Sequence, residues 1–491
     1  MEIINAWTKY NEEDRKKVFA FSDDYARFIS ECKTERECVK ESVRLAENVG
    51  YRNLSDIIAA GESLKAGDKV YAVNKDKAIV LFCIGKEDIE KGLNILGAHI
   101  DSPRLDIKQN PLYEDTELVL LDTHYYGGIK KYQWVAMPLA LHGVVALKNG
   151  ERVNIVIGED ADDPVVGISD LLIHLAAEQM VKKADKVVEG EDLNILIGSM
   201  PMPKEEGAAG VEANDKAADA NVNGEADSAE GDEKKQEKEA VKKYILAILK
   251  DKYGIEEDDF LSAEISAVPA GPARDYGIDR SMIIGYGHDD RVCAYPSLIA
   301  QLNSENPDRT SVCILVDKEE IGSVGATGMQ SKFFENMVAE VMDRAGQYSE
   351  LKLRRALANS NMLSSDVTAA FDPNYPAVSE KKNSAYFGKG MVFNKYTGSR
   401  GKSGSNDASA EYMGELRKIM DDNKVTFQTS ELGRVDAGGG GTIAYILANY
   451  GMNVIDSGVA VQNMHAPYEV ISKVDLYETF KGYEAFLKDA K

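Results

Sequence analysis

Ser311-Val312-Cys313-Ile314-Leu315-Val316-Asp317-Lys318-Glu319-Glu320-Ile321-Gly322-Ser323 is an apolar run that ends in three acidic residues and a glycine. The run has the length and β-branched content of a buried strand. The acids at its end are electrostatically costly, because each of two adjacent carboxylates disfavours ionisation of the other and burial adds to the penalty. A cation resolves that conflict and lets the pair divide its work. One carboxylate becomes a ligand while its neighbour, pointing elsewhere, acts as general base on water. Alone, Glu319 and Glu320 read better as a solvated acidic turn, in a chain with 82 acidic residues. What surrounds the run decides between the two readings.

Downstream and upstream of it the texture is α/β. A helical pattern at 332–347 follows, and a strand near 452–461 leads to a last helix that starts on the capping-box pattern Ser472…Asp475. Near the N-terminus, 23–48 carries helical spacing, and Lys69–Val73, Ala78–Ile84 and Leu93–Ile100 read as strands. Alternation of this kind predicts a mixed or parallel sheet with helices on both faces, with sites at the carboxyl ends of its strands. Between these parts, 117–200 holds short β-rich runs and reads as an inserted β module. The expected layout is a discontinuous α/β domain, 1–108 and 275–491, around a β-rich insertion, 109–274. Residues 203–240 are rich in Ala, Gly, Glu, Asp and Lys and lack aromatics. Such a stretch buries too little apolar area to offset its ordering entropy and is expected to be a disordered acidic loop.

With 491 residues, 44% of them hydrophobic and 29% charged, the chain is an ordinary globular protein of two or three domains. A formal net charge of −24 argues against nucleic acid and anionic membrane as partners. No run of about 20 apolar residues is present, and Met1–Arg15 has no signal-peptide core. Five scattered cysteines without a CxxC pair fit reduced thiols, so a cytoplasmic location is expected.

Ligand-type residues cluster at predicted strand ends. His99 lies in Gly97-Ala-His-Ile-Asp-Ser-Pro-Arg104, where Asp101, two residues on, shares its face and can orient the imidazole from behind. Asp289 and Asp290 precede an apolar helix; they read as a helix cap or as the source of a metal-bridging carboxylate. Asp366 in Leu363-Ser-Ser-Asp reads as a turn residue or a ligand, and His465 lies in a loop before the last helix. Taken together, two histidines, a bridging-type aspartate, a Glu-Glu pair and a further aspartate form the ligand set of a dinuclear hydrolase. Such N and O donors suit Zn²⁺, Co²⁺ or Mn²⁺. Two such ions can share a water and sharpen its nucleophilicity.

Gly97-Ala-His-Ile-Asp-Ser-Pro-Arg, Asp289-Asp-Arg-Val-Cys, Asp317-Lys-Glu-Glu-Ile-Gly-Ser, Ser364-Ser-Asp, Gly439-Gly-Gly-Thr-Ile and Met464-His occur in the order of the aspartyl aminopeptidase / vacuolar aminopeptidase I family, which the chain resembles from about residue 95 to its last helix. The resemblance implies a zinc-peptidase-like catalytic domain with two divalent ions, His99, Asp290 and Asp366 on one and Asp290, Glu320 and His465 on the other. It implies Glu319 as general base and Asp101 as the residue that orients His99. It further implies that the insertion is a dimerisation domain, that dimers build a tetrahedral dodecamer admitting short peptides, and that His174 completes a neighbouring subunit's site. His174 also reads as a plain helix-face histidine.

Lys395 falls near the family's substrate-contacting segment. Gly440 lies in the glycine run Gly438–Gly441, whose amides could meet substrate; no P-loop Lys-Ser/Thr follows, which discounts nucleotide. Two departures matter. Asp372 stands where aspartyl-specific members carry a histidine, and Gln133-Trp-Val-Ala-Met-Pro138 replaces their Trp-Phe-Asp-Arg-Asp. Asp372 weakens the case for an acidic S1 pocket and favours a neutral or apolar N-terminal residue, as in the vacuolar-type branch, with an acidic one as the alternative. The competing readings are a dinuclear amidohydrolase acting on N-acylated substrates and a non-catalytic shell of the same fold.

Overall fold

The alternation of apolar side chains along 312–316 dictates a strand that feeds two cores at once, because successive side chains point to opposite faces. In the computed structural model, which describes residues 4–202 and 239–491, Val312, Ile314 and Val316 enter one apolar core while Cys313 and Leu315 enter another. Each is at most 2% exposed, worth about 1.5–3 kcal/mol for a fully buried large aliphatic side chain. The stretch read as a disordered loop lies outside the described residues, apart from 239 and 240, where helix Ala240–Tyr253 begins.

Strand Ser311–Val316 belongs to a nine-stranded sheet in the order Arg52–Asn53, Lys69–Asn74, Ala78–Cys83, Ser311–Val316, Asn94–His99, Asn361–Ser365, Asn453–Gly458, Met391–Asn394, Phe427–Thr429. The four central strands, from Ser311–Val316 to Asn453–Gly458, run parallel. Val316 pairs with His99 and Ser364 with Gly97, so their carboxyl ends finish level. Helices Phe333–Arg344 and Glu350–Ala358 supply the core on one face; Glu12–Glu31, Glu35–Asn48, His288–Leu302 and Lys473–Asp489 supply it on the other. This is the expected mixed α/β architecture. A smaller five-stranded sheet, which includes Met282–Gly285, Ala460–Gln462 and Glu469–Ser472, sits beside the same strand ends.

Three local expectations are corrected. The helical pattern at 23–48 spans two helices, because Thr34 and Glu37 close a capping box that starts the second. The strand near 452–461 divides at Val459 between two sheets. Ser472 does not cap the last helix through its side chain. Asp475 instead accepts the backbone N–H groups of Gly388 and Gly390 at 2.7 and 2.6 Å.

The chain divides into two compact units, 1–104 with 126–129 and 271–491, and 105–125 with 130–270. The second unit is built on a six-stranded sheet whose strands are ordered Arg152–Ile157, Leu139–Ala146, Ala263–Pro269, Arg104–Asp115, Leu118–Tyr126, Ile195–Gly198. Among the described residues no helix is long and apolar enough to cross a membrane, and all five cysteines are buried thiols.

Candidate metal centre

Parallel strands that end level deliver their next residues to one place. His99 closes its strand, Glu319 and Glu320 follow Val316 by a few residues, and Asp366 follows Ser365. Asp289 arrives from the irregular start of helix His288–Leu302, and His465 from the loop that enters Glu469–Ser472. Two ligand groups result, His99–Asp289–Asp366 and Asp289–Glu320–His465, each with its donor atoms within 4.8 Å of one another.

Asp289 is shared. Its Oδ1 lies 3.1 Å from His99 Nε2 and its Oδ2 lies 3.2 Å from His465 Nε2. The bridge expected at Asp290 therefore falls one residue earlier. The backbone explains the choice: Ser102 Oγ donates to the Asp289 carbonyl at 2.7 Å and Glu469 accepts its N–H at 2.9 Å, which aims the Asp289 side chain at the histidines. Asp290 turns inward to the Cys293 thiol, with its carboxylate buried away from both histidines.

The tautomer of each histidine is set from behind. His99 Nδ1 donates to the Asp101 carbonyl at 3.0 Å, with Asp101 Oδ1 at 3.3 Å; His465 Nδ1 donates to the Gly128 carbonyl at 2.8 Å. Both Nε2 lone pairs are thereby left for a cation. Asp101 has a second task. It accepts the N–H of Glu319 at 3.1 Å, the N–H of Glu320 at 3.2 Å and the phenol of Tyr126 at 2.7 Å. Glu320 Oε2 lies 3.4 Å from His465 Nε2, whereas Glu319, in neither group, has Oε2 3.9 Å from His99 Nε2.

Five carboxylates (Asp101, Asp289, Glu319, Glu320, Asp366) face two imidazoles, and the imbalance shows in their pKa shifts. Burial, reinforced by neighbouring carboxylates, pushes Glu320 and Asp366 well above the carboxylate range and Glu319 up to about 7. Burial opposes charge on Asp289 too, but its bonds to His465 and His99 hold it below the usual range. Burial likewise disfavours charge on both histidines; the Asp101 and Asp289 bonds raise His99 regardless, and Asp289 with Glu320 raises His465 to about 10. Glu320 Oε1 is buried with no hydrogen-bond partner. Excess buried carboxylate, two imidazole nitrogens turned toward it and an orphaned oxygen all fit a pair of divalent ions.

The remaining expected residues stand apart from these groups. Lys395 pairs with Asp407 at 2.7 Å. The Gly440 carbonyl accepts the Gly398 N–H at 2.6 Å, and the helix after the glycine run is only Ala444–Ala448. His174 is exposed in the second unit, in the short 3-10 turn Ile173–Leu175 instead of on a helix face. Asp372 caps its own turn by accepting the Asn374 N–H at 2.8 Å. Tyr126, Gly128, Ser102 and Glu469 escaped the sequence reading. Ser102 does stand inside the quoted His99 segment, but its bond, like that of Glu469, is to backbone.

The sequence profile of the aminopeptidase I zinc metalloproteases, family M18, matches residues 28–487. The chain is 61% identical over 488 residues to a probable M18 family aminopeptidase 1 of Clostridium acetobutylicum, covering 99% of this chain and 98% of that one. It superposes on the crystal structure of the Thermotoga maritima M18 aminopeptidase with a TM-score of 0.89 at 41% identity, covering 100% of both chains. It superposes on the S. cerevisiae mApe1 dodecamer with a TM-score of 0.72 at 20% identity, covering 95% and 96%. With one carboxylate shared between two fixed imidazoles beside the carboxyl ends of its central strands, the chain belongs to the M18 family and is an aminopeptidase of the zinc metallopeptidase class.

Proposed function

We propose that the protein removes neutral or apolar N-terminal residues from short peptides, with two divalent ions, zinc by the chemistry of the donors, held by His99, Asp289, Asp366, Glu320 and His465. Bound there, the ions supply Lewis acidity toward a scissile carbonyl and toward water. Glu319 takes a proton from the attacking water and returns it to the departing amine. The observation that carries this role is the split of the adjacent pair: Glu320 approaches His465 while Glu319 stays outside both ligand groups, 3.9 Å from His99 Nε2. Asp101 keeps the split in place through the two backbone N–H groups.

The substrate preference is supported by Asp372, which offers an anion where aspartyl-specific relatives offer a histidine. We infer further that the second unit mediates dimerisation within a tetrahedral dodecamer and that His174 serves a neighbouring subunit. In support, Ile173, Leu175, Met180 and Val181 are 65–84% exposed around it, and the S. cerevisiae relative was solved as a dodecamer. The test is hydrolysis of a panel of aminoacyl anilides, free and N-acetylated, after chelation and readdition of Zn²⁺, Co²⁺ or Mn²⁺. Metal-dependent turnover of free neutral substrates is expected. Turnover of only the N-acetylated set would make the protein an amidohydrolase, and none at all a shell.

A further inference from the structure

Glu469 opens strand Glu469–Ser472 and pairs across the five-stranded sheet with Gly285. It therefore lies between the segment that leads to Asp289 and the loop that carries His465. Its side chain is 1% exposed. Oε2 accepts the Asp289 N–H at 2.9 Å and Oε1 accepts the His465 N–H at 2.8 Å. Neither residue sits in regular backbone. Asp289, at φ −79 and ψ 103, is non-helical inside the start of its helix. His465, at φ +63, and Asn463, at φ +60, are left-handed, a region non-glycine residues seldom occupy unless something holds them there.

We propose that Glu469 is a positioning residue for the metal centre. With one carboxylate it fixes the separation of Asp289 and His465, and so sets the affinity of the Asp289–Glu320–His465 group without being one of its ligands. The proposal rests on the reading of that group as a metal site. Two donors converge on two oxygens, so both oxygens are required; a glutamine offers one acceptor and turns an N–H₂ toward the other backbone N–H. The two ligands do not depend on it equally. Asp289 keeps the Ser102 bond on its carbonyl, whereas His465 is otherwise held through its ring, by the Gly128 carbonyl and by Asp289 itself. Loss of Glu469 should therefore weaken the group that contains His465 and spare the one that contains His99.

The experiment titrates metal-free full-length protein with Zn²⁺ by calorimetry and with Co²⁺ by visible absorption, for wild type, E469Q, H465A and D475N. D475N is the structural control, because Asp475 is an equally buried carboxylate that also holds two backbone N–H groups, away from the ligand groups. In E469Q one ion should bind as in wild type and the second 10- to 100-fold more weakly, while D475N binds both normally however much its melting temperature falls. Wild-type affinity for both ions in E469Q, with the second lost in H465A, would overturn the proposal. Retention of both ions in H465A would overturn the metal reading itself. If E469Q does not fold, hydrogen exchange on chelated wild type decides. Peptides covering 287–291 and 463–468 should stay protected without metal, and free exchange there would refute the clamp.

Discussion

Each carboxylate oxygen of Asp289 lies within 3.2 Å of a histidine, whereas the buried carboxylate of Asp290 turns to the Cys293 thiol. Asp289→Asn should accordingly strip both ions, while Asp290→Asn, at a carboxyl whose pKa burial pushes well above the usual range, should leave the zinc content of purified protein unchanged. Metal analysis of the two variants checks this. Glu319→Gln should retain both ions and lower kcat by about 10²–10⁴, the usual weight of general acid–base catalysis, with little change in KM. Wild-type turnover would remove Glu319 from the mechanism. At this scale the sequence was legible in residue type but not in register. His99, Glu320, Asp366 and His465 are rare or costly residues in telling places, but nothing periodic tells one member of Asp289-Asp290 from the other in an irregular turn. Gly128 was illegible for a different reason: it acts through a carbonyl that every residue possesses.

Elements were easier to read where one periodicity ran unbroken. Val312–Val316 declares its strand because alternate side chains serve two cores, and the level ends of four parallel strands turn that strand into a site. The pattern at 23–48 misled because helical spacing continued across Thr34, where a capping box starts a new helix. Ser472…Asp475 misled because the carboxylate found better donors across space than along its own helix. Packing at the strand ends is equally exacting. A Cβ on Gly458 would lie 2.1 Å from the Asp366 carbonyl and 2.7 Å from Cys293 Sγ. Gly458→Ala should cost about 1–3 kcal/mol by overpacking and displace Asp366 from His99 and Asp289. Chemical denaturation and zinc content measure the two effects separately.

For the whole molecule, buried acid sets a direction to its pH response. Asp456 and Asp475 lie outside the ligand groups, and burial raises each to about 7. Between the ordinary aspartate range and about 7 the folded chain holds protons that the unfolded chain has lost, so stability falls as pH rises through that window. The melting temperature of chelated protein should drop between pH 5 and 8, and Asp456→Asn and Asp475→Asn should each flatten the slope. Metal acts the other way. An ion present at 1,000 times its dissociation constant adds about 4 kcal/mol to the folded state, so chelation should lower the melting temperature by an amount that depends on free metal concentration.

The chain passes between its two units four times, at 104/105, 125/126, 129/130 and 270/271. The brief return, Tyr126–Ile129, brings the phenol that meets Asp101 and the carbonyl that fixes His465. The insertion is thus stitched into the enzyme, unlike a cassette that could be lifted out. A gene joining residue 104 directly to 271 would encode every ligand yet omit two of the groups that aim them. Any shortening of the second unit that is to keep the metal centre aimed has to leave those four residues in place.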